Sequence, residues 1–219
     1  KNFQTDLKRE WKGDNSPVTE VDLFVNNIVI AETRKYFPHI RIIGEEGGHL
    51  VAGAEYTLFC DPLDGTTPFC MGVPVSTLCL SVVKGGQPLV AVIDNPLTHQ
   101  VWTATHGVGS FLNGRKISVS RHQDVLRAGV CIMWWKNSLY NLDLVCNKLI
   151  AAGSKWINPA AVAISGGLIA SGRLEASIFP GQKAWETAAM QLIVEEAGGK
   201  CTDIHGNPMR YGPNGEIEG

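Results

Sequence analysis

Acidic side chains in three separate segments carry the chemistry that this sequence suggests. Glu45 and Glu46 follow one short apolar segment. Asp61 and Asp64 flank a proline at the end of the next one, and Glu186 lies in the first turn of a late helical pattern. Carboxylate oxygens are the ligands that hard divalent cations such as Mg²⁺ prefer. Two such ions about 3.5–4 Å apart can bind the attacking and leaving oxygens of a displacement at phosphorus.

The hexapeptide DPLDGT at residues 61–66 has the residue types to bind both a metal ion and a phosphoryl group. Its rigid proline can direct the two carboxylates to one place, with the carbonyl of Leu63 facing the same way. Gly65 and Thr66 then begin what reads as a short helix. The free N–H groups and positive dipole end of such a helix suit a phosphate.

Each of these segments alone has an ordinary structural explanation. D-P-x-D-G is a good turn sequence. Glu-Glu-Gly-Gly is typical of a solvated loop, and Glu186 by itself would complement the dipole of a helix N-terminus. The combination of all three segments is what favours a metal site.

Strands and helices must position these acidic residues. The sequence patterns for them predict an α/β fold in two halves, residues 1–120 and 121–219. Strands are predicted from apolar or alternating patterns at residues 41–43, 56–60, 77–83, 88–94, 100–104, 110–112, 117–119, 125–133, 174–179 and 200–203. Later helices are predicted at 139–152, 160–171 and 185–197, the last ended by Gly198-Gly199. Asn113-Gly114 is a strong hairpin signal.

The first helix is predicted to begin with Ser16 as its N-cap and Pro17 in its first turn, and to end at Pro38. Helical spacing gives it one apolar face, which is formed by Val21, Phe24, Val25, Ile28 and Val29.

The composition is that of an ordinary soluble globular protein, with 44% hydrophobic and 18% charged residues among 219. The net charge of −2 gives no reason to expect a nucleic acid or an anionic lipid as partner. The sequence contains no apolar run of about 18 residues that would span a membrane. The six cysteines contain no C-x-x-C pair, which favours free thiols and a reduced, cytoplasmic protein. We expect the chain to be a piece trimmed at both ends.

Taken together, the acidic segments resemble the inositol monophosphatase superfamily. The matching blocks are GEE at 44–46, DPLDGTT at 61–67, WETAA at 185–189 and EAGG at 196–199. SPVTEVD at 16–22 and GVGSFLNG at 107–114 are similar to further segments of the family. The resemblance covers nearly the whole chain, and the combination of blocks is highly specific.

This resemblance implies a layered αβαβα sandwich of the inositol monophosphatase and fructose-1,6-bisphosphatase type. It further implies a homodimer that depends on two or three Mg²⁺ ions and is sensitive to lithium. The implied reaction is hydrolysis of a small phosphate monoester by metal-activated water, with neither a nucleic acid polymer nor a membrane as partner.

The family pattern also implies the metal ligands of this chain by position. Glu45, Asp61 and the carbonyl of Leu63 would hold the first ion. Asp61, Asp64 and the side chain at Glu186 would hold the second.

The same positions imply the remaining site residues. Thr66, together with Glu45, would orient the nucleophilic water, which makes Glu45, Asp64 and Thr66 the implied catalytic residues. The N–H groups of Gly65 and Thr66 would bind the phosphate. A mobile loop that closes over the site and helps to place a further ion would include two residues: Lys12 and Asp14.

The sequence departs from the family pattern in two places. Glu186 stands where the family has Asp, which moves the carboxylate outward by one methylene group. Ala160, Ala161 and Phe179 stand where inositol-selective members have a Gly-Ser/Thr pair and a Glu that bind hydroxyls. A site without those groups should not select tightly for inositol.

Two questions therefore stay open at the level of the sequence. The substrate could be histidinol phosphate, a nucleotide 3′-phosphate or a sugar phosphate. The chain could also be a catalytically impaired, metal-binding homologue that acts as a binding or regulatory subunit.

Overall fold

The computed structural model describes residues 3, 9–13, 17–135, 138, 140–180 and 183–218. Two residues named above, Asp14 and Ser16, lie outside this part of the chain. The described strands are β1 (Arg9–Trp11), β2 (Pro17–Thr19), β3 (Arg41–Gly44), β4 (Tyr56–Asp64), β5 (Thr77–Lys84), β6 (Gln87–Asn95), β7 (Gln100–Thr105), β8 (Gly109–Leu112), β9 (Arg115–Lys116), β10 (Gly129–Ile132), β11 (Lys155–Ile157), β12 (Ala176–Ile178), β13 (Arg210–Tyr211) and β14 (Ile217–Glu218). The helices are α1 (Glu20–Tyr36), α2 (Thr66–Cys70), α3 (Asp143–Ala151), α4 (Val162–Ala170) and α5 (Ala184–Glu196).

A seven-stranded sheet in the order β3-β4-β5-β6-β7-β8-β9 carries the predicted metal segments. Only the β3–β4 pair is parallel, and the others form an antiparallel meander. Burial alternates along β5, as expected for a strand that covers a core with one face. The Asn113-Gly114 hairpin is confirmed, because both residues have positive φ (49° and 76°) at the turn between β8 and β9.

A second, three-stranded parallel sheet has the order β11-β10-β12. Helices α4 and α5 lie between the two sheets, and their residues form one core cluster with Ile93 and Trp102 of the large sheet. Cys131 of β10 faces this cluster, whereas Val130 and Ile132 pack against α3 on the other face. Helix α1 covers the large sheet at β4. The αβαβα prediction is confirmed, and the main core unites residues from both predicted halves.

The start of α1 differs from the prediction. Pro17–Thr19 form a strand that pairs with β1, and the helix begins at Glu20 with Thr19 as N-cap. Asp22 completes a capping box, since it accepts a hydrogen bond from the backbone N–H of Thr19 at 2.9 Å. The fully buried side chains of α1 are Asp22 and Asn26, whereas Phe24 is 66% exposed. Helical periodicity located the apolar residues but not the buried face.

Other predictions are confirmed with shifted ends, and two strands are wrong. The segment 117–119 is not a strand, because β9 already ends at Lys116. The segment 200–203 is not a strand either. The carboxylate of Asp203 accepts hydrogen bonds from the N–H groups of His205 (2.8 Å) and Asn207 (2.7 Å), which turns the chain. The left-handed Gly198 (φ 90°) after α5 is confirmed, with the N–H of Gly199 bonded to the carbonyl of Val194 at 2.9 Å.

Two further observations concern the setting of the protein. All six cysteines are free thiols in this structure. Among the helices of the described residues, none is long and apolar enough to cross a membrane.

Candidate metal and phosphate site

The end of β4 turns two carboxylates to the same side. Asp61 pairs with Cys79 of β5 and Asp64 pairs with Thr77, so β4 contains one extra residue between them. In a regular strand, side chains three residues apart point to opposite faces of the sheet. The bulge at Pro62 and Leu63 shifts this phase. Its effect is that Asp61 and Asp64 can converge.

Glu186 completes a three-carboxylate cluster with these two residues. One oxygen from each of Asp61, Asp64 and Glu186 lies within 4.8 Å of the other two. Glu186 comes from the first turn of α5, more than a hundred residues away along the chain. The structure therefore brings together three of the side chains predicted to bind metal, Asp61, Asp64 and Glu186.

Asp61 is the member of this cluster whose environment most clearly favours a bound cation. It is 1% exposed, and its Oδ1 accepts a hydrogen bond from the N–H of Leu63 at 2.9 Å. Its Oδ2 is buried and has no hydrogen-bond partner among the described residues. A buried carboxylate oxygen without a partner is costly. A cation beside Oδ2 would remove that cost.

The carboxyl groups of the cluster are buried and lie close to other negative charges, and both effects raise their pKa values. Burial, followed by the charges of Glu45, Asp64 and Glu186, raises the pKa of Asp61 well above its ordinary value. Burial raises the pKa of Asp64 to about 6, although backbone hydrogen bonds oppose the shift. Burial and the charges of Asp64 and Glu45 also raise the pKa of Glu186. All three carboxyls would be better ionised beside a cation.

Asp64 has a structural task in addition. Its Oδ1 accepts a hydrogen bond from the N–H of Val162 at 3.0 Å, and its Oδ2 accepts one from the N–H of Ala163 at 2.8 Å. These groups begin α4, where the backbone N–H groups have no partner within the helix. Asp64 therefore joins the metal segment to the second half of the chain.

Glu45 is held beside the cluster by the backbone of β4. Its N–H donates to the carbonyl of Cys60 at 3.1 Å. The preceding Gly44 is required here, because a β-carbon would lie 2.6 Å from the carbonyl oxygen of Gly47. The carboxylate of Glu45 is not among the three that converge within 4.8 Å.

Lys12, predicted for the mobile loop, contacts both glutamates of the GEE block. Its Nζ lies 2.6 Å from Oε1 of Glu45 and also forms an ion pair with Glu46. Burial lowers the pKa of Lys12, but the hydrogen bonds and charges of the two glutamates outweigh this and raise it above the ordinary value. Lys12 therefore remains charged beside the cluster.

The hydroxyl of Thr66 is oriented by a residue that the sequence did not single out. Its Oγ1 lies 3.0 Å from Oδ1 of Asp22 and 3.1 Å from the carbonyl oxygen of Leu63, and it donates its single proton to one of these two acceptors. Asp22 is fully buried, and its Oδ2 accepts from both the N–H and the hydroxyl of Thr19. The available signal was the Thr-x-x-Asp capping box, which fixes Asp22 at the start of α1.

The alanines predicted for the substrate pocket lie beside the phosphate segment. Ala161 is buried, and a β-carbon on Gly65 would lie only 2.7 Å from its methyl group. Ala160 is exposed and has a positive φ of 52°. Gly65 itself has a φ of 81° at the turn from β4 into α2.

Phe179 lies elsewhere. It is half-buried and lines a cavity of about 430 Å³ together with residues such as Met190 and Cys201. None of the four carboxylates Glu45, Asp61, Asp64 and Glu186 lines this cavity. The cavity is therefore separate from the carboxylate cluster.

Comparisons with known proteins give the family and the fold of this chain. The model of the inositol monophosphatase family matches residues 1–219. The protein is 34% identical over 198 residues to Nus factor SuhB of Pseudomonas aeruginosa, covering 87% of this chain and 73% of that one. It is 29% identical over 203 residues to a fructose-1,6-bisphosphatase/inositol-1-monophosphatase of Aquifex aeolicus, covering 91% and 76%.

A crystal structure of extragenic suppressor protein suhB from Bartonella henselae is similar, with a TM-score of 0.88 and 26% identity. The match covers 92% of this chain and 79% of that one. The relatives thus share both the layered fold and most of the chain. By its whole-length match and its sequence identity to these relatives, this chain belongs to the inositol monophosphatase family.

Proposed function

We propose that the protein is a Mg²⁺-dependent phosphatase that hydrolyses small phosphate monoesters. The observation that carries the proposal is the convergence of oxygens from Asp61, Asp64 and Glu186 within 4.8 Å, with Oδ2 of Asp61 buried and unpartnered among the described residues. Hard oxygen donors at this spacing suit Mg²⁺. The family supports the same class of reaction, since the Aquifex aeolicus relative is named a phosphatase.

The residues that would hold Mg²⁺ fall into two sets that share Asp61. Glu45, Asp61 and the carbonyl of Leu63 would hold one ion, and Asp61, Asp64 and Glu186 would hold another. When bound, Mg²⁺ acts as a Lewis acid that lowers the pKa of water and polarises phosphoryl oxygens. Lys12 would keep the charge of Glu45 and Glu46 balanced at the edge of this set.

Thr66 would orient the attacking water. Because its hydroxyl proton is directed to Asp22 or to the carbonyl of Leu63, the lone pairs of its Oγ1 remain free to accept a hydrogen bond. A water that donates to this oxygen and to Glu45 has its own lone pair free to attack phosphorus. As the water oxygen bonds to phosphorus and the ester P–O bond breaks, one proton of the water would pass to Glu45 and the other would stay on the phosphate. The leaving oxygen would take up a proton from solvent to give the alcohol, and Glu45 would then return its proton to solvent. The N–H groups of Gly65 and Thr66 would hold the phosphoryl oxygens.

The proposed substrates are phosphate monoesters whose leaving group is not recognised through many hydroxyls. Ala160 and Ala161 offer no side-chain hydrogen bond at the positions where inositol-selective members bind hydroxyls. Sugar phosphates, nucleotide 3′-phosphates and histidinol phosphate are therefore the first compounds to test. A strong and exclusive preference for myo-inositol 1-phosphate would contradict this part of the proposal.

The test is phosphate release from 4-nitrophenyl phosphate and from some dozens of metabolites, with Mg²⁺ and with EDTA. Asp61→Asn is the most informative variant. Asp64 is less suitable, because its carboxylate also anchors the start of α4, so a substitution there could lower activity by destabilising the fold. We expect Asp61→Asn to abolish Mg²⁺-dependent turnover while the protein stays folded. Asp143→Asn, an exposed carboxylate at the start of α3, is the matched control and should leave turnover unchanged.

A second candidate function is a non-catalytic binding or regulatory subunit. The name of one relative favours it, since the Pseudomonas aeruginosa relative is named Nus factor SuhB. The resemblance also implies an Asp at the position where this chain has Glu186. Magnesium binding by calorimetry without turnover of any phosphate ester would support this second function. Turnover that is lost with Asp61→Asn would support the enzyme.

We further propose that the protein is a homodimer, sensitive to lithium, and located in the cytoplasm. The six free thiols support a reducing compartment. Sedimentation analysis tests the dimer, and titration of the Mg²⁺-dependent activity with LiCl tests the sensitivity. An activity that is insensitive to LiCl would contradict the lithium proposal.

A further inference from the structure

The backbone of Lys183 is anchored at the start of α5, three residues before Glu186 of the carboxylate cluster. It is the N-cap residue of α5, and its carbonyl oxygen accepts three hydrogen bonds. The donors are the N–H of Glu186 (3.2 Å), the N–H of Thr187 (3.0 Å) and the hydroxyl of Thr187 (2.8 Å). Thr187 is fully buried, so this part of the backbone has a fixed place. The position of Lys183 relative to the carboxylate-bearing Glu186 is therefore set by the fold.

The ammonium group of Lys183 is held near this anchor by an aromatic ring. Its Nζ lies 5.6 Å from the ring centroid of Trp185. A lysine over the face of an indole at such a distance is attracted to it. Trp185 in turn packs against the cluster that contains Phe59 and Ala184. The side chain of Lys183 is therefore exposed but in contact with the ring of Trp185, next to Glu186 in the sequence.

Lys183 differs from Lys12 in having no carboxylate partner. Both positive charges act on Glu186. Lys12 is already engaged by Glu45 and Glu46. Among the described residues, the ion pairs within 4.0 Å do not include Lys183. It is therefore a charged donor next to the cluster that a ligand can reach.

We propose that Lys183 is a specificity-determining residue that binds a second anionic group on the leaving group of the substrate. This inference rests on the phosphatase function proposed above. Ala160 and Ala161 supply no side-chain hydrogen bonds on the side of the site formed by the second half of the chain. The ammonium of Lys183, which lies near the Trp185 ring, would select by charge instead. The favoured substrates are phosphate monoesters that also carry a carboxylate or a second phosphate near the ester oxygen.

The ammonium of Lys183 could instead bind the scissile phosphoryl group. Esters with and without a second anion distinguish these two possibilities. If Lys183 contacted the scissile group, removing its charge would weaken the binding of every phosphate ester equally. If it contacts a second anion, only esters that carry such an anion would bind more weakly. The matched probes are 2-phosphoglycerate and glycerol 2-phosphate, which differ by a carboxylate in place of a hydroxymethyl group.

The experiment measures KM and kcat for both esters with the Mg²⁺-loaded protein and with Lys183→Gln. We expect KM for 2-phosphoglycerate to rise about tenfold, the effect of losing one charge-assisted hydrogen bond at a partly exposed site. KM for glycerol 2-phosphate should change less than about twofold, and kcat should change for neither. Lys183→Arg should restore most of the preference, and Lys155→Gln on the exposed strand β11 should have no effect.

Equal increases in KM for both esters, or no increase for either, would overturn the assignment of Lys183 while leaving the phosphatase proposal intact. Absence of hydrolysis of both esters and of 4-nitrophenyl phosphate by the unmodified protein would refute the phosphatase proposal, and this inference with it. Comparison with Asp61→Asn distinguishes the two failures, because that variant removes turnover of every ester.

Discussion

The two sides of the candidate site are built on different principles. The β4–α2 turn (residues 61–66) is dense with specific partners: Asp61 bonds to Leu63, Asp64 to the start of α4, and Thr66 to Asp22. The part of the site contributed by the second half of the chain is called the opposite wall here and is defined as Ala160, Ala161 and Lys183. It has two methyl groups and one ammonium that forms no ion pair among the described residues. The turn has the groups that chemistry at phosphorus requires. The opposite wall has few groups to hold a leaving group, so it should decide which ester is used.

The largest effect is expected at Thr66, on the side that does the chemistry. Thr66→Val keeps the shape of the side chain but removes the oxygen that would orient the water. We expect kcat to fall about 10²–10⁴-fold, the usual contribution of a positioned proton-handling group. Magnesium binding by calorimetry should persist, because the carboxylates are unchanged.

Thr66→Ser is the matched control, since it keeps the hydroxyl and should retain most of the activity. Thr66→Val also leaves Oδ1 of Asp22 without this donor, and the buried acceptor should cost about 1–3 kcal/mol of unfolding free energy. Thermal unfolding therefore has to accompany the kinetics. Full activity in a folded Thr66→Val protein would remove this residue from the mechanism.

The charge of the β4–α2 turn also predicts how stability depends on pH in metal-free protein. The pKa of Asp64 is raised to about 6 by burial, compared with about 3.9 in an unfolded chain. The folded state therefore binds protons more tightly than the unfolded state, and stability falls as the pH rises from about 4 through 6. Burial also raises the pKa values of Asp61 and Glu186, so both groups add to this fall in the same direction.

Added Mg²⁺ should reverse this loss, because it binds the ionised carboxylates of the folded state. We expect the increase in Tm on adding Mg²⁺ to be several degrees at pH 8 and small at pH 5.5, measured by calorimetry in EDTA-treated protein. Asp61→Asn should flatten the pH dependence of the metal-free protein and raise its Tm at pH 8. A Tm that Mg²⁺ does not change at pH 8 would argue against a metal site.

A smaller effect, on Mg²⁺ affinity, is expected at Glu186, the member of the carboxylate cluster that comes from α5. Glu186→Asp restores the residue type of the family pattern but shortens the side chain by one methylene group. Because α5 places the longer side chain with its oxygen within 4.8 Å of those of Asp61 and Asp64, we expect the shorter one to weaken Mg²⁺ affinity about tenfold. Calorimetric titration measures this, with Glu32→Asp on the exposed face of α1 as control. An unchanged affinity and turnover would remove Glu186 from the ligands.

The same comparison shows what the sequence could reveal. The acidic blocks predicted both the fold and the residues that the structure brings together at Asp61, Asp64 and Glu186, because they are short, rigid and unusual in combination. The role of Asp22 was not predicted. It contacts Thr66 across 44 residues of sequence, and helical periodicity does not tell whether a polar residue on α1 is buried. Lys183 was also missed, because an exposed lysine is ordinary in a sequence. Only the structure shows that it forms no ion pair within the described part of the chain while it lies near Glu186.

The smallest prediction concerns two residues with a left-handed backbone, Gly65 in the β4–α2 turn and Ala160 in the opposite wall. Gly65 adopts φ 81° without cost, whereas Ala160 adopts φ 52° with a β-carbon. A left-handed alanine costs about 1–2 kcal/mol, and glycine adds about 0.4–1 kcal/mol of unfolded-state entropy. Ala160→Gly should therefore raise the free energy of unfolding by about 0.5–1 kcal/mol, as measured by urea denaturation. Gly65→Ala should lower it, because the added methyl is strained and meets that of Ala161 at 2.7 Å. Opposite signs for the two substitutions would show that the opposite wall tolerates backbone strain that the β4–α2 turn does not. A destabilised Ala160→Gly protein would instead mean that the methyl group of Ala160 has a packing role that outweighs its strain.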